Sequence, residues 1–334
     1  MILNSLHDRF GREITYLRLS VTDRCDLRCT YCMAEDMAFL PKRDVLSLEE
    51  LERLADAFID RGVKKIRITG GEPLVRRDIM TFMTKLGRRL EKGDLDELAL
   101  TTNATQLDRF AGDLKSVGVQ RINVSLDTLN DVTFAKLTRR DALSKVLSGL
   151  DAAQDAGLSV KINTVALKGV NEAEIPDMIT WAHGRGMDLT LIEVMPLGEI
   201  EEDRVDQYLP LTAVRDKLEE QWTLTPMELR TGGPARYMRV EETGGVLGLI
   251  TPLTNNFCAG CNRVRVTCTG QIYMCLGHSD RIDLRAALRG EHPQAALNEA
   301  LDRAMLAKPE RHNFDISERG AAPSVPRHMS MTGG

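Results

Sequence analysis

Along the first two-thirds of the chain one rhythm repeats: a short apolar run, a polar or glycine-bearing loop, then a stretch with apolar residues three and four apart. The short runs predict strands at 14–20, 64–69, 97–102, 120–125, 159–165 and 189–194. The amphipathic stretches predict helices at 48–61, 76–90, 107–116, 141–156 and 174–184. Ser47, with Glu50 three residues on, forms a capping box for the first helix, while Asp155-Ala156-Gly157 and Gly184-Arg185-Gly186 supply helix stops. Such a series implies a parallel sheet with outer helices, curled into a barrel or opened as a doubly wound sheet.

Each strand runs into a polar or small cluster: Ser20–Asp23, Thr69–Glu72, Thr101–Asn103, Ser125–Asp127, Lys161–Asn163 and Glu193–Pro196. Active sites of α/β barrels lie at the C-terminal strand ends, so these clusters predict one shared mouth, helix capping accounting for some of them. After about residue 225 the rhythm changes. Ala235–Val240 and Val246–Thr251 around a Thr-Gly-Gly turn predict a hairpin. From about 308 the chain is polar, with proline and glycine, and is expected to be poorly ordered on its own.

At 334 residues, 43% hydrophobic and 28% charged, the composition is that of an ordinary soluble enzyme. Only 4% aromatic residues and a net charge of −5 argue against a nucleic-acid binder. Apolar runs too short for a membrane span, and a start without a signal-peptide pattern, lead to an expected cytoplasmic location.

Seven cysteines stand at 25, 29, 32, 258, 261, 268 and 275, an odd number clustered toward the two ends that reads as metal ligation rather than disulfides. Cys25, Cys29 and Cys32 form C-x3-C-x2-C directly after the first strand. Three thiolates can hold three irons of a 4Fe–4S cluster and leave the fourth open. Zinc would want a fourth Cys or His nearby, and none occurs at 33–72. With Gly70-Gly71-Glu72-Pro73 after the second strand, this spacing resembles the radical S-adenosylmethionine superfamily. The resemblance implies that the open iron binds the methionine end of S-adenosylmethionine, that the GGEP element contacts its amine, and that one electron releases a 5′-deoxyadenosyl radical. By motif position Tyr31, Gly71, Ser125 and Met195 would line that cofactor site.

The second group is Cys258, Cys261, Cys268 and Cys275. Residues 263–268 alternate, placing Arg263, Arg265 and Thr267 on one strand face and Val264, Val266 and Cys268 on the other. Cys268 thus reads as a small buried residue, leaving Cys258, Cys261 and Cys275 as ligands of a second open cluster; a closed four-cysteine site is the alternative. Lys65, Arg67 and Thr69 likewise share one face of the second strand, and Arg18, Thr101 and Lys161 stand near the same mouth, a set of cations suited to a triphosphate. There is no P-loop motif.

Phe257–Cys275, Leu17–Cys25, Ile66–Leu74, Asn123–Asp127 and the terminal Gly333-Gly334 together resemble the GTP 3′,8-cyclase family of molybdenum cofactor biosynthesis, over essentially the whole chain. The implied fold is α/β: an incomplete (βα)6-type TIM-like barrel over 1–225, with a smaller β-rich domain over 226–334 carrying the second cluster and the GTP site. The implied product is (8S)-3′,8-cyclo-7,8-dihydroguanosine 5′-triphosphate. Two 4Fe–4S clusters and S-adenosylmethionine would be the cofactors. GTP would meet Arg18, Lys65, Arg67, Thr101, Lys161, Arg263 and Arg265, and Arg263, Arg265, Gly333 and Gly334 would act in catalysis. A separate pterin-forming enzyme would use the product, a flavodoxin or ferredoxin would supply electrons, and the chain would be a monomer or homodimer without nucleic-acid or membrane partners. Where the family often has Arg before the sixth strand's Phe-Ile-Glu, this chain has Thr190, so one phosphate contact is lost or supplied elsewhere. The competing readings are another two-cluster radical enzyme, such as a peptide-modifying maturase, and a ferredoxin-like electron carrier.

Overall fold

The structure, a computed structural model, describes residues 5–198, 204–229, 231–255, 257–316 and 323–333. Its strands are β1 (Tyr16–Ser20), β2 (Lys65–Thr69), β3 (Glu97–Thr102), β4 (Arg121–Ser125), β5 (Ser159–Ala166), β6 (Asp188–Glu193), β7 (Leu224–Met227), β8 (Arg236–Val240), β9 (Val246–Ile250), β10 (Arg263–Val266), β11 (Gln271–Tyr273) and β12 (Arg281–Asp283). The helices are α1 (Leu48–Asp60), α2 (Ile79–Glu91), α3 (Leu107–Ser116), α4 (Asp131–Thr138), α5 (Leu143–Asp155), α6 (Ile175–Gly184), α7 (Arg204–Gln207), α8 (Leu211–Glu219), α9 (Leu284–Leu288), α10 (Pro293–Ala307) and α11 (Met329–Thr332).

All the strands join one sheet in the order β12-β11-β10-β1-β2-β3-β4-β5-β6-β9-β8-β7. From β10 to β9 every pairing is parallel, and the antiparallel pairs β11–β12 and β8–β7 finish the two edges. Strands from beyond residue 225 therefore extend the partial barrel on both sides, and the expected 225/226 division falls within β7.

The predicted alternation explains why the sheet has two different faces. Leu17, Leu19, Ile66, Ile68, Leu98 and Leu100 are buried on the outer face against the helix layer, including Leu54 and Phe58 of α1 and Phe82 and Leu86 of α2. Burying each such side chain contributes about 1.5–3 kcal/mol. The inner face is equally buried but polar: β2 reads Lys65, Ile66, Arg67, Ile68, Thr69, and all five are covered. A packed barrel interior would carry branched apolar residues here. These strands enclose a chamber.

The capping box forms, with Glu50 N–H donating to Ser47 Oγ and Ser47 N–H to Glu50. Gly157 and Gly186 take the left-handed backbone of helix stops. Other expectations shift. The second helix starts at Ile79 instead of 76, because Pro73–Val75 form a 3-10 turn capped by Glu72 and Asp78 has φ 58°. Helix α4, started by Asn130 accepting from Thr133 N–H at 2.9 Å, lies in a stretch read as loop. The tail is also more structured than expected: α11 is a buried helical turn, with Ser330 2% and Thr332 0% exposed.

Candidate active site

Two cavities open on the inner face. Cys25, Cys29 and Cys32 line the first; Cys258, Cys261 and Cys275 line the second. Asn163, Ile192, Met195 and Met329 line both, so the cavities share a wall. Among the described residues no three His, Cys, Asp or Glu side chains close on a single metal ion; the cysteines are spread around cavity walls.

The first cysteine loop follows β1 and is propped by the helix that the sequence reading missed. Arg28 and Thr30 donate their N–H groups to the carbonyls of Thr138 and Leu137 at the end of α4, both at 2.9 Å. Behind the loop, a Cβ on Gly70 would lie 2.7 Å from the Thr22 carbonyl oxygen, and one on Gly71 2.3 Å from that of Arg24. Glycine is required where two backbones approach so closely. Gly71 also lines the cavity, with Tyr31, Ser125 and Met195, so the four residues expected at the cofactor converge. Glu72 does not join them. Its carboxylate accepts from Leu74 N–H at 3.0 Å, Thr102 Oγ1 at 2.8 Å and Asn103 N–H at 2.6 Å, and burial raises its pKa to about 7. The Glu of the GGEP element thus ties β2 to β3 instead of facing the cavity. Tyr31 donates to Asp127 at 2.6 Å.

Burial, with Glu72 nearby, pushes the Cys25 thiol up strongly, and burial pushes Cys32 up to about 11. Metal binding at these thiols would displace their protons. Asn103 Nδ2 lies 3.7 Å from Cys25 Sγ and donates to Asp26 at 2.7 Å.

The second cavity has the opposite electrostatics. Strand register sets Arg265, Arg18 and Arg67 side by side across β10, β1 and β2, and Arg263, Tyr16 and Lys65 one pleat away. Arg18, Arg67, Lys161, Arg263 and Arg265 all line the cavity. Among the described residues none of the five has a carboxylate within ion-pair distance, and the Nε atoms of Arg18, Arg67 and Arg265 are buried without a partner. Burial, with neighbouring arginines adding, lowers the Arg18 pKa well below its usual value and that of Arg265 to about 10. For Cys261, burial alone would raise the pKa, but Arg263, Lys308 and their neighbours bring it to about 7.

Two expected GTP contacts lie elsewhere. Lys65 is held by Glu97 at 2.6 Å and the Thr231 carbonyl at 2.8 Å, and Thr101 lines the first cavity. Thr190 lines the second, its hydroxyl buried and unpartnered, near Tyr237, whose own hydroxyl accepts from Lys161 Nζ at 2.7 Å. Cys268 lines neither cavity and is 1% exposed, as its strand face predicted. Gly333 lies with its Cα against Thr69, a first-cavity residue, while Gly334 lies outside the described residues. Sequence reasoning missed Tyr16, which sits among Arg67, Lys65 and Arg263 with ring distances of 5.8, 5.1 and 5.9 Å. Burial would raise its pKa, but the cations, Arg67 foremost, lower it to about 8. Its signal was the Tyr16-Leu17-Arg18 alternation, which places it on the Arg18 face.

Comparison with known proteins gives matching results for the two parts of the chain. Residues 19–182 match the Radical SAM superfamily and residues 187–314 match Molybdenum Cofactor Synthesis C. The chain is 64% identical to a GTP 3′,8-cyclase of Erythrobacter litoralis over 334 residues, all of both chains. It is 62% identical to a GTP 3′,8-cyclase of Mesorhizobium japonicum, over 98% of this chain and 99% of that one. Among solved structures, Streptococcus suis SuiB bound to S-adenosylmethionine superposes with a TM-score of 0.62 at 15% identity, covering 90% of this chain and 69% of that one. Native anSMEcpe with bound AdoMet gives a TM-score of 0.55 at 15% identity, over 84% of this chain and 82% of that one. These last two likenesses establish the fold.

Proposed function

The chain belongs to the GTP 3′,8-cyclase family, and from that premise we infer how its own residues divide the work. It is a radical S-adenosylmethionine enzyme that converts GTP to (8S)-3′,8-cyclo-7,8-dihydroguanosine 5′-triphosphate, in molybdenum cofactor synthesis. The observation that supports the division is the pair of cavities: one lined by three cysteines beside glycine backbone, the other by three cysteines and five cations, with a common wall.

Cys25, Cys29 and Cys32 would hold a 4Fe–4S cluster, with Gly71, Tyr31, Ser125 and Met195 around S-adenosylmethionine. Cys258, Cys261 and Cys275 would hold a second cluster. When bound, these groups supply one-electron cleavage of S-adenosylmethionine and an open iron for a purine ligand. The protein's share is positional. Arg18, Arg67, Lys161, Arg263 and Arg265 bind the triphosphate, compensating in the bound state for the repulsion they exert on one another. The orphaned Thr190 hydroxyl offers a hydrogen bond where the family often has Arg. Met195, Met329, Ile192 and Asn163 line the junction, exclude water and set the ribose against the radical source. Cysteines used as thiolate ligands suit a reducing cytoplasm, with a flavodoxin or ferredoxin as reductant and a pterin-forming enzyme downstream.

Three ligands, rather than four, at the second site favour a nucleotide substrate over a fully ligated maturase centre. Anaerobic reconstitution is expected to give about eight irons per chain, and incubation with dithionite, S-adenosylmethionine and GTP the cyclic nucleotide, identified by mass spectrometry. Cys268→Ser should keep the second centre and product formation, and Cys275→Ser should lose both. Equal loss in the two variants, or stoichiometric zinc with half the iron, would sink the assignment.

A further inference from the structure

Behind the second cysteine set lies a lysine that neither the motif nor the cation row absorbs. Lys308 follows α10 and is 1% exposed. Its ammonium donates to the Arg263 carbonyl at 2.9 Å and to the Met274 carbonyl at 2.7 Å, and lies 3.7 Å from Cys261 Sγ. An ammonium has three donors, and here all three are engaged by two carbonyls and a sulfur. Those carbonyls lie two residues after Cys261 and one before Cys275, so one cation spans the backbone of two of the three cysteines.

The third is held in a similar way. Arg12, paired with Asp8 at 2.6 Å, donates to the Cys258 carbonyl at 2.8 Å, and also to the carbonyls of Glu310 at 2.7 Å and Pro309 at 2.6 Å. Arg12 thereby fixes the segment that carries Lys308. The first cysteine set also has a cation on its backbone, Arg28 donating to the Cys25 carbonyl at 2.5 Å, but among the described residues no cation is hydrogen-bonded to one of its sulfurs. Cys25 Sγ meets the neutral amide of Asn103 at 3.7 Å and the carboxylate of Asp26 at 4.0 Å, and that amide also donates to Asp26.

We propose that Lys308 is a positioning residue for the second iron–sulfur centre, holding its reduction potential above that of the first by placing a buried positive charge on Cys261. The inference rests on the assignment of a cluster to Cys258, Cys261 and Cys275. Its physical basis is simple. A reduced cluster carries one more negative charge, so a nearby cation in a low-dielectric setting favours the reduced form, and a hydrogen bond to a ligand sulfur acts in the same direction.

The test is an anaerobic redox titration of the reconstituted full chain, followed by low-temperature electron paramagnetic resonance, in native protein, Lys308→Met and Lys308→Arg. The second centre is expected at the higher midpoint in native protein. Lys308→Met should move that midpoint to a more negative value and leave the first centre in place; Lys308→Arg should stay close to native. Equal second-centre midpoints in native and Lys308→Met overturn the proposal. If Lys308→Met fails to hold the centre, Lys308→Gln is compared with Lys308→Arg: a negative shift in the Gln variant alone supports the proposal, and loss of the centre from both makes Lys308 a brace and overturns it. Native protein with a single centre and half the iron would instead defeat the cluster assignment itself, an outcome read before any variant is made.

Discussion

Replacing Arg18 with Met separates the cost of the cation row from its use. Arg18 is 8% exposed and faces Arg265 and Arg67 on the two neighbouring strands. Adjacent strands lie about 4.8 Å apart. Two guanidinium charges about 6 Å apart, at an effective dielectric of about 20, repel by about 3 kcal/mol. Arg18→Met relieves two such repulsions and one buried charge, while the remaining cations relax and the smaller side chain packs less well. The net gain for the nucleotide-free protein is expected at about 1–3 kcal/mol, a rise in Tm of roughly 1–4 °C. With GTP the sign reverses. Loss of a charge-assisted hydrogen bond costs about 1.5–3 kcal/mol, or about 10–150-fold in Kd. Anaerobic scanning calorimetry without nucleotide, and titration calorimetry with GTP, read the two effects separately. A variant that melts earlier without nucleotide and binds GTP as tightly as before would refute the reasoning, and would make Arg18 a structural cation.

Gly333→Ala should abolish cyclic nucleotide while largely sparing S-adenosylmethionine cleavage, because φ is 72° and the new Cβ would lie 2.0 Å from Thr69 Oγ1; full product formation would show that this close approach is unimportant. Gly71→Ala should lose the first centre and keep the second, its Cβ falling 2.3 Å from the Arg24 carbonyl oxygen, and iron analysis with spectroscopy checks the count. Burial, with Arg121 adding, lowers the pKa of Lys161 from 10.5 to about 8. GTP affinity should therefore weaken as pH rises through about 8. The nucleotide-free fold should gain stability between about pH 8 and 10.5, where the unfolded chain still binds the proton that the folded chain has released. Lys161→Met should flatten both profiles, and an unchanged GTP profile in that variant would assign the titration to another group.

Most of the scaffold was legible because its signals are local. The six strands announce themselves as short apolar runs, and α1 carries its own capping box. Cys268 could be set apart from Cys261 and Cys275 because a strand alternates with period two, and Val264 and Val266 mark its apolar face. What was missed depends on distant partners. Helix α4 has a weak apolar pattern, and its importance lies in the carbonyls of Leu137 and Thr138 that meet the cysteine loop. Glu72 sits in a cofactor motif, yet its carboxylate is used by Leu74, Thr102 and Asn103. Lys65 shares a face with Arg67, but no pattern reveals that Glu97 on the next strand claims it. Lys308 looks like any helix-end lysine until the fold buries it.

The sheet order also dictates a sequence of events during synthesis. β10 hydrogen-bonds to β1, and beside that pairing Asn262 Nδ2 reaches Thr15 Oγ1 across 247 residues. On the other flank β6 waits for β9. While the last third of the polypeptide is still in the ribosome, both flanks are unpaired backbone, the surfaces on which nascent sheets stick to one another. The loop of Cys25, Cys29 and Cys32 already has its brace on α4 by then, lacking only Met329 and Ser330 of the tail, so iron is expected to reach it first. The frame of Cys258, Cys261 and Cys275 does not exist until Arg12 and Lys308 have met across it. Metal is expected at that second position only after Lys308 has been made, later than at the first, and until β9 and β10 arrive the two flanks remain raw sheet edges.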